Sequence, residues 1–233
     1  MNRGFTLIEL LISAALASVL SLLVFAGYDS IRERARTVEC AVRLRALGQG
    51  IMLHTTEQGG RFPKSNHSGA AWTVAIAPYL GEPVLENGLD YRNRKAFVCP
   101  ANKAAHAPEP SCWSYGLNVF FELSPNLRYT PAGLPILGSR DSYKGSPATW
   151  NRMSDILFPG RTVMVAENPH QVSDHFMAHQ WSSTGTARNA IACTRHQKKS
   201  HFLFVDGHLE ALEVEETFDP TAGVNLWNPS LAR

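Results

Sequence analysis

The sequence predicts an α+β protein in which one long N-terminal helix packs on a C-terminal domain built around an antiparallel β-sheet. An apolar run extends from Gly4 to Tyr28, a proline-free segment with helical periodicity follows, and short elements divided by Gly and Pro occur beyond Gly60. With 44% hydrophobic and 18% charged residues, the 233-residue chain is neither a disordered tail nor a polytopic membrane protein. The formal net charge of +2 gives no strong field toward nucleic acid, so no nucleic-acid partner is predicted.

The apolar run predicts one transmembrane helix. As a helix it is about 37 Å long, which exceeds a hydrocarbon core of about 30 Å. Arg3 ahead of it predicts a cytoplasmic N-terminus and an exported C-terminal domain. A secretory signal peptide is the alternative, with a weak small-x-small site at Ala15 and Ala17. That alternative does not explain Glu9, because a carboxylate inside an apolar span is costly without a partner.

Residues 4–11 read Gly-Phe-Thr-Leu-Ile-Glu-Leu-Leu, which resembles the processing and methylation motif of type IV prepilins and type II secretion pseudopilins. The resemblance implies a leader, residues 1–4, that the prepilin peptidase removes between Gly4 and Phe5, and methylation of the new Phe5 amine. It also implies that residues 5–28 form a transmembrane and assembly helix in a pilin-like fold. There Glu9 neutralises its own amine or that of the next subunit in a fibre. A plain membrane anchor with an incidental Glu is the alternative.

Residues 29–60 are predicted to extend this helix as an amphipathic segment that packs on the exported domain. No proline interrupts them, and their apolar residues recur with a 3.6-residue spacing. Two adjoining rows result, Ile31, Ala35, Val38, Val42 and Arg45 in one and Ala41, Leu44, Leu47 and Ile51 in the other. From Phe5 to Thr56 the continuous helix would be about 78 Å long. The sequence Gln58-Gly59-Gly60 predicts its end.

Residues 61–233 are predicted to form the exported α+β domain. Its expected elements are a short helix or turn cluster at 70–80 broken by Pro78, strands at 95–99, 113–121 and 161–167, and a helical turn at 153–157. Two further strands, 202–205 and 208–212, flank Asp206-Gly207, which predicts a hairpin with a two-residue type I′ turn.

The segment 196–207 carries a second resemblance. His196 is followed by nine residues and then by Asp206-Gly207, which is similar to the His-x9-Asp-Gly domain at the C-terminus of many prepilin-like proteins. The chain departs from that group after His196, where the group usually has a glycine-rich loop and this sequence has Gln197-Lys198-Lys199.

No cofactor is predicted, although the histidines make a divalent metal the alternative to consider. His175 and His179 are four residues apart and would share one face of a helix, a spacing that can chelate zinc. For His196 and Asp206 two interpretations stay open, a hydrogen bond that locks the turn or a metal site. Histidine ligands favour zinc or nickel over calcium.

The four cysteines allow a disulfide in the exported domain, and the sequence lacks common catalytic motifs. If the domain is exported, Cys99 and Cys112 are the favoured disulfide, worth about 3 kcal/mol. Four cysteines allow three complete pairings, and free buried thiols are the alternative. The chain contains no P-loop, no Gly-x-Ser-x-Gly and no Gly-x-Gly-x-x-Gly, and we predict no enzymatic activity.

The leading hypothesis is therefore a structural subunit of a type IV pilus or a type II secretion pseudopilus. Its expected partners are the prepilin peptidase, other pilin or pseudopilin subunits and the inner membrane. It would be single-pass, with a periplasmic or extracellular domain, and would enter a fibre after processing. The alternative is a membrane-tethered metal- or carbohydrate-binding domain without long fibres, for which aromatic residues would offer a ligand surface, namely Trp113, Trp150, Trp181 and Trp227.

Overall fold

A computed structural model describes residues 6–66, 71–83, 94–102, 113–123, 150–169 and 173–233. Gly4 and Phe5 of the predicted cleavage site and Cys112 of the predicted disulfide lie outside these ranges.

Helix α1, Leu7–Glu57, dominates the fold, and its 51 residues give a length of about 77 Å. Thr6 is its N-cap, and the Thr6 side chain accepts a hydrogen bond from the Glu9 amide. The helix ends at Gln58, after which Gly59 and Gly60 have φ values of 65° and 87°. Glycine adopts this left-handed conformation without a Cβ penalty, so the predicted end of the helix is confirmed.

A five-stranded sheet with the order β3-β1-β2-β4-β5 forms the centre of the C-terminal domain. All pairings are antiparallel except that of β1 with β3, which is parallel. The strands are β1 Tyr115–Asn118, β2 Val163–Glu167, β3 His175–Phe176, β4 Ser200–Phe204 and β5 Leu209–Leu212. A two-stranded ribbon, β6 Phe218–Asp219 with β7 Val224–Asn225, follows near the C-terminus. The predicted α+β class, a long helix with a largely antiparallel sheet, is confirmed.

Both faces of the sheet are covered, which explains why every residue of β2 and of β4 is buried. Helix α1 and the short helix α2, Trp72–Ile76, contribute to the core on one face, together with Leu117, Val165 and Leu203. An aromatic cluster covers the other face with helices α3, Thr184–Ala190, and α4, Val214–Thr217. Its larger members are Phe120, Phe176, Trp181, Phe202, Phe218 and Trp227.

Only one of the two predicted rows on α1 packs on the domain. Leu44, Leu47 and Ile51 are fully buried, and Gly48 lies so close to β4 that a Cβ there would be 2.8 Å from Leu203 Cδ2. The row from Ile31 to Arg45 is exposed, so the expectation that it joins the core was wrong. The physical reason is that a straight helix touches a sheet along one line, so the adjoining row faces away from it.

Several of the shorter elements agree with the sequence. A 3₁₀ helix at Ala77–Leu80 follows α2 where Pro78 was expected to break the helix. A 3₁₀ helix at Met153–Asp155 forms the predicted helical turn. The strand predicted at 95–99 is wrong, because Lys95–Phe97 form a 3₁₀ helix whose Phe97 ring packs edge-on against Trp72 at 6.4 Å. A short apolar segment buries its side chains equally well in either conformation.

The predicted hairpin between β4 and β5 forms, but its turn differs from the predicted type. Gly207 has φ 89°, whereas Asp206 does not have a positive φ, as a type I′ turn would require. Phe204 donates its amide to the His208 carbonyl at 3.0 Å, and the Gly207 amide donates to the Phe204 carbonyl at 2.9 Å. The connection is therefore a three-residue loop, 205–207, with glycine in the left-handed position.

Candidate functional site

The N-terminal half of α1 presents an apolar surface that the rest of the described chain does not cover. Leu7 is 77% exposed and Leu22 is 70% exposed. Among the described residues, α1 is the one helix long and apolar enough to cross a membrane, and none of its apolar window is buried. This surface is too large and continuous to remain in water, so it requires lipid or other helices.

Glu9 is turned back toward the start of this helix. Its Oε2 atom accepts hydrogen bonds from the Thr6 amide and the Thr6 hydroxyl, each at 2.8 Å. The Thr6 hydroxyl in turn accepts from the Glu9 amide at 3.3 Å, which completes a capping box. The carboxylate is thereby hydrogen-bonded within one chain and stays beside Thr6, the residue that follows Phe5 in the sequence.

The four histidine and aspartate residues predicted as metal ligands do not come together. His175 lies in β3 and His179 in a 3₁₀ helix, Ala178–Gln180, so the helical i, i+4 relationship was wrong. His175 Nδ1 lies 2.8 Å from Asp174 Oδ1, and the His179 ring packs edge-on against Phe120 at 6.1 Å. Both histidines are buried, at 3% and 1% exposure.

Asp206 pairs with His208 in the hairpin loop and not with His196. Asp206 Oδ1 accepts from the His208 amide at 3.0 Å and lies 2.6 Å from His208 Nδ1. Both side chains are more than one-third exposed. The geometry is that of an Asx turn, which needs no metal ion.

His196 instead lies in a buried cluster with Cys40, Cys99 and Glu167, which we call the thiol cluster. Cys40 lies in α1, and Cys99 lies just after the Lys95–Phe97 turn. Glu167 ends β2, and His196 lies in the turn before β4. One ligand atom of each residue lies within 4.8 Å of those of the other three. Among the described residues, this is the one group of three or more His, Cys, Asp or Glu side chains close enough to hold a metal ion.

Glu167 is at the centre of the thiol cluster. Its Oε1 atom lies 2.7 Å from Cys40 Sγ and 2.9 Å from His196 Nε2. Its Oε2 atom accepts from the His201 amide at 2.9 Å and from the Ser200 hydroxyl at 3.3 Å. Cys99 Sγ lies 3.5 Å from His196 Nε2. One carboxylate oxygen is thus held by β4, and the other faces the two thiols and the imidazole.

The protonation of the thiol cluster follows from burial and these contacts. Burial raises the pKa of the Cys99 thiol, but hydrogen bonds with Cys40 and His196 outweigh it and lower that pKa to about 6. Burial lowers the pKa of His196, yet its contacts with Cys99 and Glu167 raise it to about 9. Burial raises the pKa of Cys40 far above its ordinary value. These contacts favour a Cys99 thiolate beside a protonated His196.

Polar side chains around the thiol cluster orient its members. His196 Nδ1 lies 3.2 Å from Thr37 Oγ1, and the Tyr115 hydroxyl lies 3.2 Å from Cys40 Sγ. The Arg195 guanidinium is 4.0 Å from Glu167 Oε1 and donates to the carbonyls of Ser114 and Asn168. The positive charge of Arg195 offsets part of the buried negative charge.

Sequence patterns identified His196 as a candidate ligand, but they did not identify Cys40 and Glu167 as members of the same site. Cys40 belongs to no motif, and Glu167 stands out in the sequence as the end of a buried strand and as one of the acids near the histidines. The signal in the sequence that could have identified Glu167 is a carboxylate at the end of a buried strand. An isolated buried charge is costly, so such a carboxylate predicts a buried partner.

Cys99 is a free thiol in the structure, next to His196, and Cys112 lies outside the described residues. The Cys99–Cys112 disulfide therefore stays a prediction.

The tryptophans predicted as a ligand surface pack in or against the core. Trp181 and Trp227 are 5% and 0% exposed, with ring centroids 4.8 Å apart. Trp113 and Trp150 are partly buried against the core clusters. The aromatic surface that would support carbohydrate binding is thus not formed by these four side chains.

Comparison with known proteins agrees with the geometry of α1. Residues 1–25 match the prokaryotic N-terminal methylation motif. The chain is 30% identical over 111 residues to the type IV major pilin protein PilA of Myxococcus xanthus (strain DK1622), and the match covers 47% of this chain and 46% of that protein. The matched region thus spans less than half of the curated relative. No solved structure matches the chain significantly.

The resemblance of residues 196–207 to the His-x9-Asp-Gly domain stays a prediction. The chain is therefore similar to type IV prepilins: it carries the N-terminal methylation motif, a long N-terminal helix that begins within that motif, and a region that is similar to a type IV major pilin.

Proposed function

We propose that this chain is the precursor of a structural, non-enzymatic subunit of a type IV pilus or pseudopilus-like fibre. The prepilin peptidase removes residues 1–4, and Phe5 becomes the methylated N-terminus. The mature helix is held in the inner membrane with the domain exported, and it then packs against the helices of other subunits.

The observation that carries this proposal is the exposed apolar half of α1 with Glu9 near its start. Ile8, Leu11 and Leu20 are each more than half exposed, so the domain provides no core for them. A membrane anchor alone would explain these side chains but not a carboxylate among them. The Glu9 carboxylate accepts hydrogen bonds from Thr6 and is therefore close to where the new amine would arise.

The exposed row farther along α1 supports helix packing beyond the membrane. Ile31, Val38 and Val42 are 68%, 64% and 56% exposed and lie on one side of the helix. They continue the apolar surface into the aqueous part of the helix, where lipid does not cover it. A neighbouring helix of the fibre would bury this row.

The similarity to a type IV major pilin supports the same function, since that protein is by its name the main subunit of a pilus. The match covers less than half of either chain, so the fibre and the subunit partners are part of the proposal.

The test is co-assembly of a Glu9→Ala variant with wild-type subunits. The variant should be inserted and cleaved normally but should be absent from sheared fibres, because its neighbours lose the carboxylate that neutralises the Phe5 amine. Glu33→Ala is the matched control, since Glu33 lies on the same helix, is partly exposed and has a carboxylate that pairs with Arg36 at 3.8 Å. We expect Glu33→Ala to enter fibres at the wild-type level. Fibres that contain Glu9→Ala subunits at that level would contradict the proposal.

A further inference from the structure

The thiol cluster joins the helix to the sheet at a point that fibre assembly does not explain. Cys40, Cys99 and Glu167 are each 0% exposed and His196 is 4% exposed. They approach one another from four separate parts of the chain. Two thiols, an imidazole and a carboxylate are also the ligand types that zinc binds.

We propose that the thiol cluster binds a zinc ion through Cys40 Sγ, Cys99 Sγ, Glu167 Oε1 and His196 Nε2. All four ligands come from the protein, so the site is closed, as structural zinc sites are. The ion fastens α1 to the domain. This inference does not depend on the proposed fibre.

The first argument is geometric. A tetrahedral zinc site separates its ligand atoms by about 3.3–3.8 Å, given zinc bonds of about 2.0–2.3 Å. Cys99 Sγ and His196 Nε2 are already 3.5 Å apart. The two contacts of Glu167 Oε1, at 2.7 and 2.9 Å, must lengthen by less than about 1 Å. No two of the four ligand atoms are more than 4.8 Å apart, so any wider pair must approach by about 1 Å.

The second argument concerns the tautomer of His196. The Thr37 hydroxyl donates its single hydrogen to the Glu33 carbonyl at 2.9 Å. Toward His196 Nδ1, at 3.2 Å, it must therefore act as an acceptor, so Nδ1 carries a hydrogen. In neutral histidine the Nε2 lone pair then faces Glu167 Oε1 at 2.9 Å. Two acceptors at that distance require a cation between them, either a proton or a metal ion.

The surroundings of the site are those of a metal ligand set. Thr37 orients the imidazole through Nδ1, and β4 holds the second oxygen of Glu167 through the Ser200 hydroxyl and the His201 amide. Bound histidine and carboxylate ligands are commonly oriented by such outer hydrogen bonds. The Tyr115 hydroxyl, 3.2 Å from Cys40 Sγ, provides a donor to a thiolate.

The charges also balance with zinc bound. Two thiolates, one carboxylate and a neutral imidazole leave a net charge of −1 around Zn²⁺. The Arg195 guanidinium, 4.0 Å from Glu167 Oε1, supplies the compensating positive charge. Binding displaces the proton of Cys40 and the Nε2 proton of His196, so zinc uptake is accompanied by proton release.

A Cys40–Cys99 disulfide is the competing use of the two thiols in an oxidising compartment. The disulfide would use only the two sulfur atoms. It would not explain why His196 and Glu167 lie beside them in the same buried cluster. Both cysteines are free thiols in the structure.

The experiment uses the full chain, extracted from membranes in detergent and purified without chelator. Elemental analysis should find about one zinc ion per chain. Cys99→Ser and His196→Ala should lower zinc affinity at least tenfold. The matched controls are Cys193→Ser, whose thiol is hydrogen-bonded to the Arg188 carbonyl at 3.7 Å, and His208→Ala, whose partly exposed ring pairs with Asp206. Both controls should keep the metal.

Two further measurements separate loss of the site from loss of the fold. His196→Cys supplies another thiolate at the same position and should retain zinc. Cobalt(II) added to metal-free wild-type chain should give the intense thiolate-to-cobalt absorption of sulfur ligands. A wild-type chain that contains no zinc and takes up none at micromolar concentration overturns the proposal. So does a peptide map in which Cys99 is joined by a disulfide to Cys40 or to Cys112, because either bond removes the Cys99 thiolate.

Discussion

Cys40 Sγ in helix α1 lies 2.7 Å from Glu167 Oε1 at the end of strand β2, although the two residues are 127 positions apart in the sequence. Among the described residues Cys40 is the first of α1 that is buried. The contact therefore marks where the exposed part of the helix ends and the packed part begins. The amphipathic segment predicted from residue 29 onward meets the domain only near this point. The exposed part of α1 is left for lipid or for neighbouring helices.

Processing of the N-terminus is the first prediction. The intact mass of membrane-extracted chain should lack Met1 to Gly4 and include one methyl group on Phe5. Gly4→Val should leave the precursor uncut, because a branched side chain hinders close approach of the peptidase to the backbone.

Gly27→Val is the control for this prediction. No atom lies within 4 Å of a Cβ placed at Gly27, and the residue is remote in sequence from the cleavage site. Its mass should show normal processing. A mature chain that begins beyond Ala17 would identify a conventional signal peptide and exclude the prepilin interpretation.

The two rows of α1 should respond differently to substitution. Leu44→Ala removes a fully buried side chain and should lower the free energy of unfolding by about 3 kcal/mol. Val38 is 64% exposed, so Val38→Ser should change that free energy by less than about 0.5 kcal/mol. Val38→Ser should nevertheless reduce the yield of sheared fibres, because the exposed row packs between subunits. Normal fibre yield from Val38→Ser would show that this row is not an assembly surface.

Gly116 in β1 is a position where a side chain has no room. A Cβ there would lie 2.8 Å from both Asn168 Oδ1 and Phe176 Cε2. Gly116→Ala should lower the free energy of unfolding by about 2 kcal/mol, measured by chemical denaturation of the full chain in detergent. Gly185→Ala is the control, because its Cβ would meet only Ser183 Oγ, at 3.6 Å. An unchanged midpoint for Gly116→Ala would mean that β1 and β3 are farther apart than described.

The turn after His196 should gain stability from glycine. Gln197 and Lys198 have φ values of 55° and 72°, a left-handed conformation that costs side-chain-bearing residues energy. Lys198→Gly should therefore raise the free energy of unfolding by about 0.5–1 kcal/mol, seen as a higher thermal midpoint.

Lys199→Gly serves as the matched comparison, because Lys199 does not have a positive φ and its amide donates to the His196 carbonyl at 3.1 Å. There glycine adds freedom to the unfolded chain and removes the hydrogen bond from Lys199 Nζ to the Ala211 carbonyl at 3.3 Å, so the midpoint should fall. A lower midpoint for Lys198→Gly would show that the Lys198 side chain contributes more than its backbone strain costs.

The turn after His196 is also where the sequence has Gln197-Lys198-Lys199 in place of a glycine-rich loop. Proteins with the His-x9-Asp-Gly segment usually have glycines after the histidine, and this chain has Gln197 and Lys198 in left-handed conformations. The left-handed backbone at this turn of the chain thus forms without glycine. Such strain persists only where the surroundings hold it, and here the turn places His196 against Glu167.

Local patterns in the sequence predicted the parts of the fold that neighbouring residues control. The end of α1 follows from Gly59 and Gly60, whose positive φ values need no distant contact. Strand β2 was predicted from its continuous apolar run, and the Pro78 break from the fixed φ of proline. The motif at residues 4–11 is likewise a short, contiguous signal, and the comparison with known proteins matched it.

Tertiary structure alone decided which row of α1 is buried, whether residues 95–97 form a strand or a 3₁₀ helix, and which acid meets His196. The sequence placed Asp206 ten residues from His196, yet the hairpin turns Asp206 toward His208. Glu167 instead reaches His196 across the adjacent strands β2 and β4. The physical reason is that hydrogen bonds between neighbours depend on local backbone angles. The partners of a buried charge depend on strand register and helix packing, which bring together residues far apart in the chain.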